Sequence, residues 1–103
     1  MSVLLWIAGA LLLGGVVGYY ISQAIEWFKD VYYKLKRVFR GVGILIRRGS
    51  KVFKRLFVEL TNGEEEEYYD SVDEGIEISD PQLSDEVRRA LYADDYLIVE
   101  TYN

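Results

Sequence analysis

The stretch VFRGVGILIRRGSKVFKRLFVEL, residues 38–60, has two readings, and the fold turns on which is taken. The first continues a helical stripe. Ala24, Phe28, Val31, Leu35, Val38, Val42 and Leu45 step by 4, 3, 4, 3, 4 and 3, the spacing of one helix face. Trp27, Phe39, Ile46 and Phe53 flank that stripe, and Val52, Leu56 and Leu60 prolong it. Lys29, Lys36, Arg37, Arg40, Arg47, Arg48, Lys51, Lys54 and Arg55 lie opposite. The second reading is extended. Leu56, Val58 and Leu60 alternate with Phe57 and Glu59, and Asn62-Gly63 behind them is a hairpin signal. Gly41, Gly43 and Gly49 also count against one long helix, since each costs about 1 kcal/mol relative to Ala in a helix interior. The balance predicts helix to about residue 40, a bend at Gly41–Gly43, and a second element over 44–60 that is extended over 52–60.

Working outward, charge divides the 103 residues into three blocks. Residues 1–25 carry no charged side chain, and the next 33 carry ten of the twelve Lys and Arg. Residues 23–58 have a net charge of +8 and residues 59–103 one of −13, so the overall −5 averages two opposites. There is no cysteine and no histidine. That excludes disulfides and thiol chemistry, and removes the commonest general base and transition-metal ligand.

Val3–Ser22 is about twenty apolar residues, long enough as a helix to cross a hydrocarbon core of roughly 30 Å. No basic residue precedes it, and Tyr19-Tyr20 closes it, which suits a retained anchor better than a cleaved signal. The fold class this implies is a single-pass transmembrane helix (1–22) running into a basic amphipathic helix (23–48), then a small acidic α+β module (49–103). Because the Lys and Arg all follow the apolar segment, the N-terminus is expected outside and the C-terminal module on the cytoplasmic side. Ala10, Gly14, Gly18 and Ser22 recur every fourth position, a ridge of small residues suited to close helix packing and self-association.

Three functions are open to the basic segment. Lys29, Lys36, Arg37, Arg40, Arg47 and Arg48 can face anionic headgroups or an acidic partner. Nucleic acid is not expected, since the aromatics lie on the apolar side and not among the basic residues. The plain alternative is an amphipathic helix packed on its own protein. In the acidic block, Glu64, Glu65, Glu66 and Glu67 followed by Tyr68 and Tyr69 are the candidate partner-docking residues. Further on, Leu83, Val87 and Leu91 share a helix face capped by Ser79 or Asp80, and Tyr96–Tyr102 (YLIVETY) is the most strand-like run.

No catalytic constellation, cofactor loop, metal-ligand spacing or small-molecule site emerges. The expectation is a non-enzymatic scaffold that docks a partner protein or shell to a lipid bilayer. The alternative is an oligomeric membrane-active effector or pore with a soluble sensor module.

Overall fold

A computed structural model describes residues 19–102. The elements run α1 (Tyr19–Lys34), β1 (Val38–Arg48), β2 (Lys51–Leu60), β3 (Glu65–Tyr69), β4 (Ile76–Glu77), α2 (Asp85–Asp94) and β5 (Tyr96–Tyr102). The strands form one antiparallel sheet in the order β3-β2-β1-β5, with β4 paired to the start of β2 beside β3. The described residues are therefore an α+β domain in which two helices share one face of a sheet.

The helical stripe stops short of the predicted range. Tyr20, Ala24, Phe28 and Tyr32 sit four apart on α1 and are buried, joined by Ile21. Beyond Lys34 the chain turns through Arg37, whose φ of 61° is left-handed, and leaves as a strand. Residues 23–48 are thus not one amphipathic helix. β-Branched Val38, Val42, Ile44 and Ile46 favour the extended state, which a pleated sheet rewards. Gly49 (φ 62°) then turns β1 into β2, and the two strands pair from Val38↔Leu60 to Arg48↔Lys51. The whole 38–60 stretch is a β-hairpin.

Gly41 and Gly43 have a tertiary purpose. A Cβ on Gly43 would lie 2.3 Å from Phe28 Cδ2, and one on Gly41 would lie 3.1 Å from Tyr32 Cε2. Their bare backbone is the floor on which α1 lies. Leu45, Val52, Leu56, Val58, Leu97 and Val99 complete that side of the sheet, and Leu83, Val87 and Leu91 bring α2 and its approach onto the same core.

The Asn62-Gly63 turn forms as its sequence indicates. Gly63 has a φ of 89°, and the Leu60 N–H donates to the Glu64 carbonyl at 2.7 Å. Helix α2 is capped by Ser84, whose hydroxyl accepts from the Val87 N–H, rather than by Ser79 or Asp80. Arg88 secures the segment before it, donating to the carbonyls of Ile78 (2.7 Å), Asp80 (3.1 Å) and Leu83 (3.0 Å). Arg47 fastens the other end of α2, donating to the Leu91 carbonyl at 3.1 Å and to Asp95 at 2.5 Å.

The membrane reading needs correction. Among the described residues no helix is long and apolar enough to cross a membrane. Most of the expected anchor, including Ala10, Gly14 and Gly18, lies outside the described residues. Its last residues, Tyr19–Ser22, open α1, which also carries Glu26, Lys29, Asp30 and Lys34 and turns its apolar side onto the sheet. A single-pass membrane architecture, with the orientation inferred from it, is therefore not supported.

Candidate functional site

Strand alternation assigns every sheet residue to a side. Gly41, Gly43 and Leu45 face the helices, so Arg40, Val42, Ile44, Ile46 and Arg48 face away. Register carries that assignment across the ladder. Phe53, Ile46 and Tyr96 form one level; Tyr69, Arg55, Ile44 and Ile98 the next; Glu67, Phe57, Val42 and Thr101 a third. Arg48 and Lys51 close one end of this face, and Arg40, Glu59 and Glu65 the other.

Seven apolar or aromatic side chains thus form a band: Val42, Ile44, Ile46, Phe53, Phe57, Tyr96 and Ile98. Ile44 and Ile98 are only 2% and 8% exposed, yet neither belongs to the core between sheet and helices. Among the described residues, no helix lies on this side. Gly75 touches its margin, where a Cβ would come within 2.7 Å of Phe53. Tyr69, 65% exposed, stands at the β3 margin. Arg55 lies between Phe53 and Tyr69, its guanidinium 5.4 Å from each ring centre, and pairs with Glu67 at 3.5 Å. Arg40 pairs with Glu59 at 2.7 Å. The charges within the face are therefore matched, and the band between its ends is apolar.

The residues singled out from sequence do not converge on one site. Lys29 is exposed on α1; Lys36 and Arg37 lie in the turn after it. Arg40 and Arg48 stand at opposite ends of the face away from α1 and α2, while Arg47 faces α2. Ser22 is exposed on α1. Glu65, Glu66, Glu67, Tyr68 and Tyr69 form edge strand β3, with Glu64 in the turn before it. Tyr68 turns to the core side and donates to Glu66, which with burial raises its pKa. Tyr69, Glu65 and Glu67 belong to the face away from the helices.

Two further clusters were not anticipated. Lys54 Nζ lies 3.4 Å from Asp70 and 3.8 Å from Asp73, beneath the Trp27 ring at 5.5 Å, and the Lys54 N–H donates to Asp73. Beside it the Tyr20 hydroxyl donates to the Val52 carbonyl at 3.2 Å. Burial first, then the Asp73 charge, push the Tyr20 pKa up. At the end of β5, Tyr102 stacks on Tyr32 with ring centres 4.7 Å apart. Its hydroxyl is buried and has no hydrogen-bond partner among the described residues. Burial and then Glu100 raise its pKa. Among the described residues no group of three acidic side chains is arranged to hold a metal ion.

The orphaned hydroxyl yields a signed expectation. An unsatisfied buried polar group costs about 1–3 kcal/mol, so Tyr102→Phe should hold or raise stability at neutral pH. Because the folded pKa exceeds the ordinary value of about 10, Tyr102 contributes fully below pH 10. Above it, the unfolded chain releases its proton first, and stability falls. Urea unfolding at pH 8 and 10.5 should show a smaller alkaline loss for Tyr102→Phe than for the parent. An equal loss in both would show that Tyr102 ionises as readily folded as unfolded.

Comparison with protein families, characterised proteins and solved structures yields no match.

Proposed function

We propose that this chain is a non-enzymatic protein-docking module whose working surface is the sheet face opposite the helices. One observation carries the reading: β1 is apolar on both sides, with Leu45 in the helix-covered core and Val42, Ile44 and Ile46 opposite. Antiparallel sheets that present one side to water alternate apolar with polar residues, and a strand apolar on both sides is suited to two covered faces. Ile44 and Ile98 are already closed off within the band, and another protein seated there would complete the burial of the half-buried Val42, Ile46, Phe53, Phe57 and Tyr96. Aromatic and arginine side chains such as Phe53, Phe57, Tyr69, Tyr96 and Arg55 are those that anchor protein contacts. The acidic strand β3 forms the rim, so Glu65, Glu67 and Tyr69 contribute selectivity at its margin.

The chemistry available favours binding over catalysis. The Lys54 group ties the 70–75 connection to β2, and its three charges are committed to one another. The test is site-specific photo-crosslinking. A benzophenone side chain at Phe57 should form protein adducts in the native setting, and the same group at Tyr92 on α2 should not. Adducts at Tyr92 but not at Phe57 would move the docking surface to the helical side.

A further inference from the structure

Resting on that reading of the sheet face, we infer that the partner reaches over the β3 margin onto the 70–75 loop. There it takes Val72 into an apolar socket ringed by Lys and Arg. Three observations carry this: an apolar tip on an ordered turn, its continuity with the face, and the charge around it.

Val72 is out of keeping with its position. The Asp73 N–H donates to the Asp70 carbonyl at 3.0 Å and closes a turn with Ser71 and Val72 at its tip. Such tips ordinarily carry Gly, Pro, Asn, Asp or Ser. Val72 is apolar and β-branched, and at 79% it is the most exposed large apolar side chain among the described residues. The turn is also held still. The Val72 N–H donates to the Asp70 carboxylate and the Gly75 N–H to the Asp73 carboxylate, each at 3.0 Å. The same two carboxylates flank Lys54 Nζ, and Lys51 Nζ donates to the Glu74 carbonyl at 3.4 Å. The loop is thereby fixed to β2 while its apolar tip stays in water. A side chain presented on an ordered backbone binds without the entropy cost of arranging it. Proteins depart from local rules in this way at functional positions.

A lone exposed valine would carry little meaning. Val72 lies three residues beyond the exposed Tyr69 and three before Gly75, where a Cβ would come within 2.7 Å of Phe53. Tyr69 and Phe53 hold the Arg55 guanidinium between their rings. Loop tip, Tyr69 and Phe53 thus form one run that leads onto the sheet face.

Charge specifies what meets this run. Residues 64–77 carry eight carboxylates and no Lys or Arg. Glu64, Glu66, Glu67, Glu74 and Glu77 are exposed. The neighbouring cations Lys54 and Arg55 have largely buried side chains, while Lys51 is exposed opposite Glu77. An apolar knob in a negative surface is complemented by an apolar hollow ringed with cations.

The test places a diazirine-bearing aliphatic residue at Val72 of the full chain in its native setting. It should join the same protein as benzophenone at Phe57. Peptide mapping should find the attachment in a stretch where Lys and Arg outnumber Asp and Glu. With that protein purified, Val72→Asp should weaken binding roughly tenfold or more, the scale set by burying a valine. Val72→Ile should leave binding intact, and Glu74→Lys should weaken it and reduce its dependence on salt. Circular dichroism confirms that each variant remains folded. Adducts at Phe57 with none at Val72 overturn the inference and leave the docking reading standing, as does an unchanged affinity for Val72→Asp. Attachment within an acidic stretch overturns the basic socket. A protein at Val72 different from that at Phe57 overturns the continuous contact. Absence of adducts at both positions removes both readings.

Discussion

Truncating Phe28 to alanine is expected to destabilise the domain by about 3–5 kcal/mol, the range for emptying a fully buried aromatic site. Phe28 is 0% exposed, and its ring occupies the space above Gly43 that a Cβ would need. The companion expectation concerns sign. Glycine in a strand is ordinarily worse than alanine by about 0.5–1 kcal/mol. Here Gly43→Ala should instead lose about 1–3 kcal/mol through overpacking, because the new carbon would sit 2.3–2.7 Å from three ring atoms. In the Phe28→Ala background the obstruction is gone, and Gly43→Ala should become neutral or stabilising. Denaturant unfolding of the four-member cycle measures this directly. Additive losses would mean that α1 does not rest on Gly43.

That contact also explains why the sequence misled over residues 35–45. A step of four fits a helix face, but it is also an even number, so Val42 and Ile46 align on one side of a strand as well, while Val38, beyond the irregularity at Val38/Arg40, packs on the core side. The discriminating residue is Leu45. On a helix it shares a face with Val42; on a strand it must lie opposite, and it does, in the core with α1. Gly41 and Gly43 suggested a broken helix because helix propensity penalises them, whereas α1 requires them bare. Nothing local announces a tertiary contact of that kind.

Elsewhere local chemistry sufficed. Asn62-Gly63 supplied a left-handed turn residue between alternating runs, and β-branched Ile98 and Val99 made Tyr96–Tyr102 extended. Part of the candidate face was legible in Phe57 and Glu59, which alternate with Leu56, Val58 and Leu60. Another part was hidden in Val42–Ile46, whose unbroken apolar character reads equally as helix. An apolar run of strand length, bounded by Gly41 and the Gly49 turn, was the available signal. At the N-terminal side, absence of charge through Ile25 marks a dry environment without stating its nature. For Tyr20, Ile21 and Ala24 that environment is the interior of the protein itself, with Ser22 and Gln23 exposed between them.

Replacing Lys54 with methionine is expected to cost about 2–4 kcal/mol, although methionine matches the length of the lysine stem. Lys54 and Asp73 have side chains only 13% and 6% exposed, with Asp70 at 23%. Removing one member of such a group leaves the others as uncompensated, poorly hydrated charges, which costs more than the pairing itself is worth. Asp73 also accepts from the Lys54 and Gly75 N–H groups, so it cannot swing out to water without releasing the backbone of the 73–75 segment. The loss should therefore be local as well as global. Limited proteolysis should cut Lys54→Met between residues 70 and 75, where the parent resists, and Gly75 should withdraw from Phe53 at the margin of the sheet face. Adding Asp73→Asn returns the group to the parent's net charge but keeps an oxygen acceptor for only one of the two N–H groups, which Asp73 binds through separate oxygens. The double variant should recover about half of the stability lost. If Lys54→Met unfolds at the parent's denaturant midpoint, the three charges are held too loosely to tie this segment to β2.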